Sequence, residues 1–129
     1  MKKKIRLQLL EGAYAVSRLS PSSAIPAWAD GPGFVSISRG REELSIVCRQ
    51  ERVPEGITTQ GGWTALCFAG PFAFDEIGIV LSVVQPLSER GIGVFVVSTY
   101  DTDYMLLKSA DMARATEVLI DAGHTLLPA

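Results

Sequence analysis

Residues 75–91 read DEIGIVLSVVQPLSERG, and the reading of this stretch decides the fold. Asp75 suits a helix N-cap, because its carboxylate can accept a hydrogen bond from a main-chain N–H that the first turn leaves orphaned. Glu76 complements the positive end of the helix dipole. Ile77, Val80, Leu81, Val84 and Leu87 recur at helical spacing and form one apolar stripe. Gly91 suits the left-handed residue that ends a helix. Pro86 removes one internal hydrogen bond, so a bend or a loosened last turn is expected there. The stretch predicts a helix over 75–90.

Short apolar runs flank this helix. Trp63 to Phe68 precedes it, and Ile92 to Ser98 and Tyr104 to Leu107 follow. Asp111 to Ala122 then repeats the helical pattern. Met112, Ala115, Val118, Leu119 and Ala122 share one face, Gly123 stops the helix, and His124 to Leu127 closes the set. The order is β-α-β-β-α-β, the split βαβ or ferredoxin-like unit. The fold class is therefore α+β, with helices on one face of an antiparallel sheet. The other face, or a sheet edge, is left to meet a partner or a ligand.

The first half is poorer in helix signals. Leu7 and Leu9, then Ala13 to Val16, read as two strands around a hairpin-like break at Glu11-Gly12. Pro26 can start a single helical turn, which Gly31-Pro32-Gly33 ends. Phe34, Val35 and Ile37 form a strand, residues 39–43 a polar turn, and Leu44 to Cys48 the next strand. Gln50 to Gly62 is the least apolar stretch, holds Pro54, Gly56, Gly61 and Gly62, and reads as a link. The expected organisation is tandem: an incomplete, degenerate copy over 1–60 and a full βαββαβ unit over 61–129.

Composition narrows the function. The 129 residues suffice for one ordinary domain or two very small ones sharing a core. A hydrophobic fraction of 47% fills that core and leaves material for an apolar subunit interface. A net charge of −2 gives no electrostatic case for nucleic acid. Arg6 and Gln8 interrupt the run after Lys2 to Lys4, and Glu11 follows at once, so no secretory signal is read. No apolar stretch approaches the roughly 18 residues of a membrane span, and a cytoplasmic location is expected. Cys48 and Cys67 lack metal-ligand spacing and read as free thiols. His124, the single histidine, reads as structural at a strand start. Gly31-Pro32-Gly33 has no following lysine and reads as a turn. No catalytic centre, cofactor or metal site is expected.

Two loops stand out. Residues 70–79, GPFAFDEIGI, run from a strand into a helix N-terminus. Free N–H groups there suit a carboxylate, and Gly78 lets a ligand approach the backbone. The same residues also read as a capped helix whose glycine packs on the sheet. Residues 98–103, STYDTD, join two strands. Asp103 could hold an ammonium, and Ser98 and Thr99 the polar atoms of an amino acid. By composition alone they read first as a polar hairpin turn.

Together these loops carry a resemblance. Ala73-Phe74-Asp75-Glu76-Ile77-Gly78-Ile79-Val80, then Gln85-Pro86-Leu87, then Ser98-Thr99-Tyr100-Asp101-Thr102-Asp103-Tyr104, resemble the ACT domains of CASTOR-type arginine sensors and their small bacterial relatives. Leu44 to Cys48 is similar to the strand before the same unit. The match is clearest over Gly61 to Gly123. The resemblance implies a regulatory, non-catalytic protein that binds a free amino acid between two ACT units. Carried over by position, Ala73, Ile79, Thr99, Tyr100 and Asp103 would meet the ligand, with Ala73 and Ile79 offering backbone groups and Asp103 facing a cation. Phe74, Asp75, Gly78 and Ser98 complete the candidate site. The sensors carry four units where this chain has room for two, which implies a homodimer. The alternatives are a ligand-free structural or interaction module, and the detached regulatory subunit of an amino-acid biosynthetic enzyme.

Overall fold

In the computed structural model, residues 3–70, 72 and 77–129 are described. Among them the elements run β1 (Arg6–Leu9), β2 (Tyr14–Leu19), β3 (Ser36–Arg39), β4 (Leu44–Arg49), β5 (Thr58–Ala69), α1 (Ile79–Glu89), β6 (Phe95–Ser98), β7 (Asp103–Lys108), α2 (Met112–Asp121) and β8 (Thr125–Leu127). Short 3₁₀ turns cover Ala27–Ala29, Gln50–Arg52 and Ser109–Asp111. The chain divides into two compact units, Met1–Leu10 with Thr64–Ala129, and Glu11–Trp63.

The larger unit is the predicted βαββαβ run, with one strand added. β6 and β7 form an antiparallel hairpin in which Ser98 faces Asp103, and β7 also pairs with β5. β5 and β8, the first and last strands of the run, are separated by β1. Leu7 faces Phe68 across an antiparallel ladder and Leu126 across a parallel one. The sequence reading places residues 1–10 in the first half, as one arm of a hairpin with the strand after Gly12. Instead β1 pairs with β5 and β8, and β2 with β4 and β5. The reason is burial: Leu7 is fully enclosed, packed with Leu66, Phe68, Val83, Leu87 and Leu107 in one core.

Helix α1 starts four residues later than the sequence reading places it. Gly78 has φ +82°, a left-handed conformation that no turn of a right-handed helix contains, so the helix begins at Ile79. The expected cap at Asp75 and the dipole contribution of Glu76 lie outside the described residues. The apolar stripe moves with the start. Ile79, Val83 and Leu87 are the buried set, spaced by four, whereas Ile77 is 81% and Leu81 61% exposed. Pro86 lies inside the helix, which runs on to Glu89. In α2 the expected face holds: Ala115, Val118 and Leu119 are buried and Met112 packs against them.

The smaller unit has the strand order β3-β4-β2-β5, with residues Thr58 to Trp63 of β5 pairing to β2. The supposed link over 50–62 is thus partly strand. Its residues alternate between exposed and half-buried, and such a strand has little apolar sequence to announce it. Leu44, Ile46, Cys48 and Ala29 make one core cluster, and Tyr14, Ala15 and Val47 are buried as well. Hydrogen bonds from side chains secure the loops around them. Arg52, half-buried, donates to the carbonyls of Trp28 (3.2 Å), Ala29 (3.4 Å) and Pro32 (2.6 Å), and the Tyr14 hydroxyl accepts from the Phe34 N–H (2.9 Å).

Candidate functional site

The two loops singled out by sequence meet in the larger unit. The start of α1, Gly78 to Leu81, forms one wall of a cleft of about 440 Å³; the β6–β7 turn, Thr99 to Asp103, forms the other, and Phe72 completes it. Of the predicted site residues, Gly78, Ile79, Thr99, Tyr100 and Asp103 line this cleft. Ser98 stands behind it and donates its hydroxyl to Asp103 Oδ1. Ala73, Phe74 and Asp75 lie outside the described residues.

Each wall owes its position to local chemistry. The β6–β7 turn closes on itself: the Thr99 N–H donates to the Thr102 carbonyl (2.7 Å), and the Thr99 hydroxyl donates to the same carbonyl (3.0 Å). Thr102 then anchors the turn, its hydroxyl donating to the Phe68 carbonyl on β5 (2.6 Å). So the hydroxyls of Ser98 and Thr99 are engaged inside the turn, the former by Asp103 itself, and Asp101 and Asp103 bring carboxylates to the cleft lining. Opposite, the first residues of α1 carry N–H groups with no intrahelical partner, and Gly78 at the N-cap has no side chain to cap them. One wall therefore offers donors and a positive dipole end, the other carboxylates. A zwitterion fits that polarity at both ends.

Phe72, Val80, Leu81, Asp101 and Thr102 also line the cleft, beyond the residues that sequence singles out. Phe72 belongs to the loop 70–79, and Asp101 and Thr102 to the turn, both of which sequence marks as wholes. The Thr102 anchor has no sequence signal, because its acceptor is a main-chain carbonyl 34 residues away. The free thiols expected at Cys48 and Cys67 are present, Cys48 buried and Cys67 half-buried. Burial pushes the Cys48 thiol up, against the pull of the neighbouring Arg52 guanidinium. His124 is buried in the larger unit, away from the cleft lining. Among the described residues, no three histidines, cysteines or acids gather as a metal site, and no helix is long and apolar enough to cross a membrane.

Comparison with known proteins gives the following. Residues 58–121 match a family model described as an ACT domain, and residues 12–56 match one described as an N-terminal domain. A protein of Agrobacterium tumefaciens, solved by X-ray crystallography, is 54% identical over 98% of this chain and 95% of its own, with a TM-score of 0.95. A Vibrio cholerae protein shares the fold at 16% identity and a TM-score of 0.75, over 93% of this chain and 91% of that one. The regulatory subunit of aspartate kinase from Thermus thermophilus, in its ligand-free form, shares it at 9% identity and a TM-score of 0.57, over 90% and 96%.

Proposed function

We propose, from the premise that this chain belongs to the ACT-domain family, that it is a non-catalytic regulatory protein of the cytoplasm that binds a free amino acid. One observation carries the reading: the start of α1 and the β6–β7 turn, 20 or so residues apart in sequence, share one cleft with donors on one wall and carboxylates on the other. The ligand carboxylate sits at the N–H groups of Ile79 to Leu81, where a helix start favours anions. Its ammonium, or a cationic side chain, faces Asp103. Gly78 keeps the approach open, Tyr100 lines the cleft, and Ala73, Phe74 and Asp75 complete the candidate set. The protein works as a C₂ homodimer, the usual symmetry for such chains, and covers part of its exposed apolar surface in doing so.

Thermal unfolding against each of the twenty amino acids tests this. A ligand present at 100 times its Kd should stabilise the protein by about 2.7 kcal/mol. No shift with any of them would remove the reading.

A second reading rests on Ile77 and Leu81, which stand 81% and 61% exposed beside the cleft. Apolar side chains this exposed suit a protein partner, so the same face would serve an interaction module without a ligand. The catalytic chain of an amino-acid biosynthetic enzyme is the partner that this reading nominates. Co-purification with such a chain, and no amino-acid response, would favour it.

A further inference from the structure

Pro86 leaves a gap in α1. Proline has no N–H, so the carbonyl of Ser82, four residues earlier, loses its helical partner. A carbonyl left bare inside a protein is costly, yet the helix continues unbroken to Glu89. The missing donor comes from elsewhere in the chain. His124, 4% exposed, places Nε2 at 2.8 Å from the Ser82 carbonyl oxygen. Its other ring nitrogen, Nδ1, accepts the main-chain N–H of Ile5 at 3.0 Å. These partners determine where the ring proton sits. The Ile5 N–H can only donate, so Nδ1 is the bare nitrogen; the Ser82 carbonyl can only accept, so Nε2 carries the hydrogen. Both nitrogens are committed. Next to the ring, the His124 N–H donates to the Leu119 carbonyl (3.0 Å) and the Thr125 N–H to the Ile5 carbonyl (3.0 Å), so the imidazole has a rigid base.

We propose that His124 supplies from outside the helix the hydrogen bond that Pro86 takes from α1, and that it thereby positions the first turn of α1, which forms one wall of the candidate ligand cleft. Ser82 is the residue after Leu81, the last of that wall. Its N–H bonds the Gly78 carbonyl (3.0 Å) and its hydroxyl the Ile79 carbonyl (2.7 Å). A pin on the Ser82 carbonyl therefore holds the whole turn from Gly78 to Ser82 against the start of β1. His124 is a positioning residue here; it touches no part of the cleft. The consequence for binding rests on the amino-acid reading given above, whereas the pin itself does not.

A double-mutant cycle in the full chain tests the pin without any ligand. Pro86→Ala restores an N–H that can reach the Ser82 carbonyl, so it should make His124 partly dispensable. His124→Ala alone should raise the unfolded-to-folded ratio roughly 30- to 100-fold, and about tenfold less when Pro86→Ala is also present. An ordinary buried histidine would show no such rescue: additive effects overturn the proposal. Hydrogen exchange at the Ser82 and Val83 amides should quicken in His124→Ala and slow again in the double variant; no change in either overturns the positioning role. If His124→Ala does not fold, the ¹⁵N shifts of the imidazole in the unaltered protein decide, with Nε2 protonated and Nδ1 bare expected, and the opposite tautomer fatal. Where an amino acid binds, its affinity should fall severalfold in His124→Ala and recover in the double variant. If no amino acid binds the unaltered protein, the ligand reading fails, while the cycle and the exchange rates still decide whether the pin holds.

Discussion

The larger unit covers its sheet with α1 and α2 and buries large apolar side chains between them, Leu7, Leu66, Phe68, Leu87 and Leu107 among them. Residues 11–63, all of them described, contain no α-helix. Their buried apolar residues are Tyr14, Ala15, Ala29, Leu44, Ile46, Val47 and Cys48, and side-chain hydrogen bonds to main-chain atoms fix the loops around them. The difference is instructive. Where helices are present, non-directional burial between helix and sheet carries most of the fold. Where they are missing, polar side chains are consumed as fasteners.

The contrast can be broken most directly at Phe68, which is fully buried. Phe68→Ala should cost about 3–5 kcal/mol of stability, the range for emptying an aromatic site in a core, read by urea unfolding. A loss below about 1 kcal/mol would mean that burial is not what holds the larger unit. In the smaller unit the matching test is Arg52→Lys. Lysine keeps the charge but not the planar fork that reaches three carbonyls, so a loss of about 1.5–3 kcal/mol is expected. A neutral outcome would show that the loops of residues 28–32 need no fastener.

Asp103→Asn separates a cleft from a turn. It should leave folding nearly unchanged and weaken amino-acid binding by about 1.5–3 kcal/mol, roughly 10- to 150-fold. Calorimetry giving equal affinities for both forms would move the site elsewhere. Gly78→Val comes next in size. At φ +82° a β-branched residue is strained whatever space surrounds it, and about 1–2 kcal/mol of stability should be lost. A melting temperature unchanged in ligand-free protein would contradict the left-handed start of α1. The sequence reading treats Gly78 as a helical position, where valine would be mild; the observed backbone reverses that expectation.

The smallest effect concerns the thiols. Cys48 is buried and its thiol pushed up, so the unfolded chain gives up that proton at lower pH than the folded one. The folded state then holds more protons, and stability should decline as pH rises through the ordinary thiol range. Cys48→Ala should remove that decline, and a thiol reagent should label half-buried Cys67 first. Faster labelling of Cys48 would argue that the smaller unit opens before the larger.

Much of the larger unit can be read from residues alone, because its signals are local. Met112, Ala115, Val118 and Leu119 keep helical spacing, and the β6–β7 turn shows itself in Ser98 to Asp103. What escapes is what depends on distant chain. Leu7 looks like a strand residue, but nothing near it says that Phe68 and Leu126 are its neighbours. Ile77, at helical spacing with Val80 and Leu81, hides the later start at Ile79. Thr58 to Gly62 passes for a link because an exposed, glycine-bearing strand lacks apolar residues. Of the site, both loops are visible in the sequence as separate candidates; that they face one another follows from the crossover of α1 and the Thr102 anchor, neither of which is written locally. Pro86 and His124 each look like a minor irregularity in the sequence, and only the fold joins them.

The insertion of β1 between β5 and β8 bears on how the protein is made. On the ribosome, residues 6–9 emerge well before one of their two partners, Thr125–Leu127. At about 5–20 residues per second, β1 waits on the order of ten seconds for β8. During that time Leu7, bound for a fully enclosed place, has a ladder on one side at most. The larger unit can therefore complete its sheet only after synthesis has passed residue 127, and a nascent chain stalled before β8 would carry β1 with an open edge, the kind of edge that invites pairing with other chains.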